Sequence, residues 1–150
     1  MTVGQVCNPN VATIGAGESV VDAATLMRQE HVGNLIVVES RRGASVPVGI
    51  LTDRDIVVSV VAKRVAPDSV TVGDAMTRDL LTVRDDASLE FALREMRRRG
   101  VRRVPVVRAA SGELIGIIAA DDVIQHLAVQ LGRLSDVIRL EQHAELSARA

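Results

Sequence analysis

The segment Val48-Gly49-Ile50-Leu51-Thr52-Asp53-Arg54-Asp55 decides the reading of this chain, because its pattern returns as Ile115-Gly116-Ile117-Ile118-Ala119-Ala120-Asp121-Asp122. Each copy is an apolar run followed by carboxylates, the signature of a buried strand feeding the first turn of a helix, where negative charge is favoured. The repetition extends towards the N-terminus. After a loop two residues longer in the first copy, Val37-Val38 matches Val106-Val107, Met27 matches Met96, Ala23 matches Ala92, Ser19 matches Ser88 and Thr13 matches Thr82. Val3-Gly4-Gln5-Val6-Cys7 then falls on Val72-Gly73-Asp74-Ala75-Met76. A repeat of this kind changes the architecture to be considered: two similar units, each too small to bury its apolar face alone, paired into one core.

Both units have the same order of elements. A short β segment (residues 12–14 and 81–83) leads to Ser19 or Ser88, a helix N-cap before an apolar-periodic run. Val20, Ala23, Ala24 and Met27, and in the second unit Leu89, Ala92, Leu93 and Met96, recur at helical spacing. Apolar β runs follow at 35–38 and 104–107, then a glycine-containing turn, then strands at 48–51 and 114–119. A second helix closes each unit. The order β-α-β-β-α, twice, predicts an α/β (α+β) fold with units at residues 1–68 and 69–130, joined at Pro67-Asp68-Ser69. Residues 131–150 are expected to be a C-terminal amphipathic helix and tail, with Leu134, Val137, Ile138 and Leu140 on its apolar face and residues 144–150 frayed.

Composition narrows the function. The chain has 150 residues, 47% hydrophobic and 25% charged, so it can build a core and stay in solution. A formal net charge of -1 argues against wholesale neutralisation of nucleic-acid phosphates. Phe91 is the one aromatic residue, which removes the stacking platforms that single-stranded nucleic acids use. Cys7 is the one cysteine, which excludes an intramolecular disulfide and fits a reducing, cytoplasmic setting. No signal peptide or membrane span is expected.

The motifs Gly49-Ile50-Leu51-Thr52-Asp53-Arg54-Asp55, Met76-Thr77 and Val104-Pro105-Val106-Val107, in this order within a doubled β-α-β-β-α unit, resemble those of tandem CBS-domain proteins, the pair known as a Bateman module. The resemblance covers about residues 3–130. It implies two repeats packed through their sheets as a pseudo-twofold pair, a cleft between them for an adenosine-containing ligand (AMP, ATP, NAD or S-adenosylmethionine), homodimerisation, a regulatory role with a possible protein effector, and no catalysis. No obligatory cofactor is implied.

Thr52 ends an apolar strand and Asp55 lies in the first turn of the next helix. A carboxylate there can accept hydrogen bonds from the two vicinal hydroxyls of a ribose, and the threonine hydroxyl with free backbone N–H groups can meet a phosphate. The competing reading is that Thr52 or Asp53 caps the helix and Asp55 complements its dipole. Within this repeat the ligand reading leads, and the stronger site is expected at Thr52 and Asp55, with Ile50 beside them. In the second copy Asp122 is kept but Ala119 replaces the threonine, which predicts a site that is weaker, empty or suited to a different ligand.

Arg102 and Arg103 precede the strand that the resemblance places at the cleft, and guanidinium groups suit phosphate. Their counterparts Gly33 and Asn34 leave room without charge; Thr13 and Thr82, paired by the repeat, complete the candidate set. Arg97, Arg98 and Arg99 are expected to be a solvated last helical turn before Gly100. His31, His126 and His143 have no metal-ligand spacing, and Cys7 aligns with Met76 as a small packed hydrophobe. The alternative function is a protein-interaction or dimerisation module that binds no small molecule.

Overall fold

The computed structural model describes residues 1–148. Residues 149 and 150, the end of the segment expected to fray, lie outside the described residues. The elements run β1 (Thr13–Gly15), α1 (Val20–Glu30), β2 (Asn34–Arg41), β3 (Ala44–Thr52), α2 (Asp53–Ile56), α3 (Val72–Ala75), β4 (Val83–Arg84), α4 (Leu89–Arg99), β5 (Arg103–Val107), β6 (Leu114–Ala119) and α5 (Ala120–Ala148). The strands make two three-stranded sheets, β1-β2-β3 and β4-β5-β6, each with its first pair parallel and its second antiparallel. The architecture is mixed α/β with the predicted order in both halves.

Local chemistry explains the starts and stops. Ser19 and Ser88 cap α1 and α4, accepting hydrogen bonds from the Asp22 and Phe91 amides at 3.0 and 3.1 Å. Both helices end in a left-handed residue, His31 and Gly100. Val20, Ala23 and Met27 of α1, and Ala92 and Met96 of α4, are buried; Ala24 and Leu93, which share the helical spacing, stay exposed at the edge of each stripe. After α2 the chain makes one π-helical turn, Val57–Val61, in which the Ala62 amide donates to the Val57 carbonyl.

Each half of the core is completed by the other half's opening segment. Val3 is fully buried among Val83, Val104 and Ile118, whereas Val72 and Met76 pack with Ile14, Leu35 and Leu51. The segment before each β1-type strand therefore crosses over. Asn8 pairs with Ile117 through reciprocal backbone bonds of 2.8 and 2.9 Å, and Thr77 pairs with Ile50 at 2.9 and 3.0 Å. The glycine of each Gly-Ile motif makes this possible. A Cβ on Gly49 would lie 2.9 Å from the Thr77 carbonyl oxygen, and one on Gly116 would lie 2.9 Å from that of Asn8. Burying Val3 and Val72 completely is worth about 1.5–3 kcal/mol each, which ties the halves into one cooperative body. Ile36 and Pro105, buried on the sheet faces opposite those lined by Val37 and Val106, help fill the space between the sheets, where β3 and β6 meet.

The last helix joins the end of the second unit to the C-terminal amphipathic segment. No break occurs at Gly132: a single 29-residue helix continues from the end of β6 to Ala148, because a lone glycine costs only about 1 kcal/mol and no proline interrupts the run. Among the described residues no helix is long and apolar enough to cross a membrane.

Candidate functional site

The crossed opening segments roof two clefts related by the repeat. The first encloses about 180 Å³ and is lined by Ile50 from one half and by Thr77, Asp79, Leu80, Leu81, Arg99, Val101 and Arg103 from the other. The second encloses about 250 Å³; Asn8, Asn10, Val32 and Asn34 face Arg103, Ile117, Ala119, Asp121 and Asp122. A wider groove against α1, lined by Leu26 and Glu30, shares Asn10, Val11, Ala12 and Val32 with the second cleft and extends it.

Arg103 belongs to both clefts. It is exposed and has no hydrogen-bond or ion-pair partner among the described residues. Arg102 behaves differently. Its Nη2 donates to both carboxylate oxygens of Asp121, at 2.8 and 3.0 Å, and its side chain is 72% exposed, so its charge is already answered in solvent. Its counterpart Gly33 lines neither cleft. It packs against the start of α2, accepting a hydrogen bond from the Asp53 amide at 3.0 Å, and a Cβ there would meet the Asp53 carboxylate at 3.0 Å.

The two Asp-started helices are finished in different ways. Thr52 and Asp55 form a complete capping box: the Thr52 hydroxyl accepts from the Asp55 amide at 3.1 Å, and the Asp55 carboxylate accepts from the Thr52 amide at 2.9 Å. The local reading of these residues as a cap is thus the geometry observed. Thr52 shares the face of β3 with Ile50, but neither Thr52 nor Asp55 lines either cleft. In the second half only one arm of the box survives, with the Ala119 amide donating to Asp122 at 3.3 Å. Ala119 has no hydroxyl to engage the Asp122 amide, and both residues line the larger cleft. The expected ranking, with the stronger site at Thr52 and Asp55, is not the one the cavity geometry favours.

Thr13 and Thr82 depart from the expected site. Side chains alternate along a strand, so Ala12 reaches the second cleft while the adjacent Thr13 is exposed on the other side. Thr82 lines a separate, open surface depression with Ser88 and Phe91. The structure therefore brings Asn34, Arg103 and Asp122 together in the second cleft and Ile50 with Arg103 in the first. Gly33, Thr52, Asp55, Arg102, Thr13 and Thr82 line neither.

Residues not singled out from the sequence also matter. Asn8 and Asn10 line the second cleft, and their counterparts Thr77 and Asp79 line the first. The repeat register contained that signal, since the same positions of both opening segments carry polar residues. Arg99, exposed in the last turn of α4 as expected, also reaches Asp79 at 2.7 Å, so an ion pair occupies the wall of the first cleft. Arg98 is paired with Glu95 on the helix surface, and this hydrogen bond lowers the Glu95 pKa. Cys7 is half-buried against the second core, where desolvation raises its thiol pKa. Among the described residues no group of three or more His, Cys, Asp or Glu side chains converges.

A model of the CBS domain matches residues 3–62 and again residues 72–129. The chain is 34% identical over 125 residues to uncharacterized protein MK0525 of Methanopyrus kandleri, covering 83% of this chain and 62% of that protein. It is 32% identical over 126 residues to hypoxic response protein 1 of Mycobacterium tuberculosis, covering 84% of this chain and 85% of that one. The crystal structure of the CBS domain pair of protein MJ0100, in complex with 5'-methylthioadenosine and S-adenosyl-L-methionine, has the same fold: TM-score 0.71 at 22% identity, covering 87% of this chain and 98% of that one.

Proposed function

The chain belongs to the CBS-domain family, matched once by each half, and from that premise we propose that it is a regulatory module that binds an adenosine-containing nucleotide in its second cleft. The observation that carries this reading is Arg103, a guanidinium with no partner among the described residues at the junction of the clefts, with Asn34 and Asp122 lining the same space. Arg103 provides a fork for phosphate oxygens. Asp122 provides a carboxylate for vicinal ribose hydroxyls, with one hydrogen-bonding arm of its cap absent. Asn34 presents donor and acceptor to a base edge. Two adenosyl ligands in the MJ0100 domain pair support the ligand class.

Size favours a mononucleotide. A cavity of 250 Å³ is somewhat below the range of about 300–1,000 Å³ usual for small-molecule pockets, so it suits AMP before ATP; NAD or S-adenosylmethionine would extend into the groove beside α1. Because Arg103 lines both clefts, it can serve one phosphate at a time, and the expected stoichiometry is one nucleotide per chain. Binding across the halves changes their relative angle or the packing of a homodimer, and a protein effector reads that change; no reaction is catalysed. The single thiol fits a cytoplasmic location.

Thermal unfolding of nucleotide-stripped protein with AMP, ADP, ATP, NAD and S-adenosylmethionine tests the reading. A ligand at a hundredfold excess over Kd stabilises the fold by about 2.7 kcal/mol, a rise of several degrees. A rise for an adenosyl ligand that vanishes in Arg103→Gln supports it. No rise for any of them favours the second reading, a ligand-independent interaction module, whose own support is the row of exposed apolar side chains on α5.

A further inference from the structure

Beyond the nucleotide cleft, and independent of it, α5 carries a second feature. Ile124, Leu127, Leu131, Leu134 and Ile138 follow one another at alternating spacings of three and four residues, the a and d positions of a heptad, and are 48–67% exposed. They form one continuous stripe along a helix about 43 Å long. Residues 131–148 are exposed throughout, so nothing in the body covers the stripe.

We propose that this stripe is the seam of a parallel two-stranded coiled coil with a second copy of the chain. Three observations select that occupant. The first is composition: isoleucine at two of the three a positions and leucine at both d positions favours two parallel strands. The second is charge. The positions flanking the seam between Ile124 and Ile138 are Ala128, Gln130, Ser135 and Val137, all uncharged, while Arg133, Asp136 and Arg139 lie outside it. Identical seams therefore meet without like-charge repulsion, as a twofold contact requires. The third is helix stability. The part of α5 from residue 131 onward is exposed throughout and carries Gly132, so it is marginal in water, and packing against a partner helix supplies what the body does not. Glu141 and Glu145, at the next d and a positions, end the seam after Ile138.

Sedimentation equilibrium of the full chain without nucleotide tests this. Wild type is expected to associate, and Leu131→Glu or Leu134→Glu to raise the dissociation constant at least about a hundredfold, since each substitution removes two buried leucines per dimer. Val129→Glu, equally exposed on the outer face, is expected to leave association unchanged. In a Cys7→Ser background, Leu134→Cys should form an intermolecular disulfide on mild oxidation and Val129→Cys should not. A monomeric wild type at about 100 μM, equal effects of Leu134→Glu and Val129→Glu, or no cross-link at position 134 would overturn the proposal. None of these outcomes depends on whether nucleotide binds.

Discussion

Thr52 and Ala119 occupy the same point of the two repeats, and the one hydroxyl between them separates a closed motif from an open one. In the first half the hydroxyl completes a capping box with Asp55, and the adjacent cleft is smaller and walled by the Arg99–Asp79 ion pair. In the second half the box keeps one arm, and Ala119, Asp122 and Arg103 line a larger cavity that continues into a groove. A repeated sequence motif thus preserves a strand-to-helix turn in both halves while its side chains complete a capping box in one and only half of it in the other.

The largest expected effect tests what the halves share. Gly49→Ala and Gly116→Ala each push a Cβ against the crossing segment, and each should lower stability by about 1–3 kcal/mol in denaturant unfolding. Gly116→Ala should cost more. Its Cβ would lie 2.8 Å from the sulfur of short Cys7, whereas the Cβ of Gly49→Ala would lie 2.7 Å from the sulfur of Met76, whose longer side chain can swing aside. Equal, negligible costs at both positions would break the crossed-segment picture.

A smaller effect sharpens the difference. Thr52→Ala removes a cap and should cost about 1 kcal/mol, while Ala119→Thr should regain a comparable amount by completing the second box. The same Ala119→Thr exchange should weaken nucleotide binding, because the added side chain fills the cleft and draws Asp122 into the cap. The smallest expected effect compares the two crossing segments. Burial raises the Cys7 pKa, so less thiolate is present at a given pH, and alkylation at pH 8 should be slower than for a free thiol. Faster alkylation would mean that the first crossing segment is less firmly seated than the second, which is anchored by buried Met76.

Much of the fold was legible because the repeat states it twice: the caps Ser19 and Ser88, the buried Met27 and Met96 and the hairpin strands lie where periodicity predicts them. The crossing of the opening segments was not, since Val3 and Val72 read equally well as apolar residues of their own halves. The continuity of α5 was not legible either, since Leu134, Val137, Ile138 and Leu140 read equally well as the apolar face of a separate C-terminal helix. At the site, residue type was informative but direction was not. Arg102 and Arg103 are neighbours of one kind, and only strand alternation and the position of Asp121 send one to an ion pair in solvent and leave the other at the clefts. The same alternation turns Thr13 to the exposed side while Ala12 lines the second cleft.

Titration calorimetry of AMP into wild type, Asp122→Ala and Asp55→Ala tests the asymmetry of the two clefts most directly. The account predicts one site per chain, lost or weakened at least about tenfold in Asp122→Ala, equivalent to about 1.4 kcal/mol, and retained in Asp55→Ala. Binding that survives Asp122→Ala and disappears in Asp55→Ala would contradict it and assign the nucleotide to the first cleft.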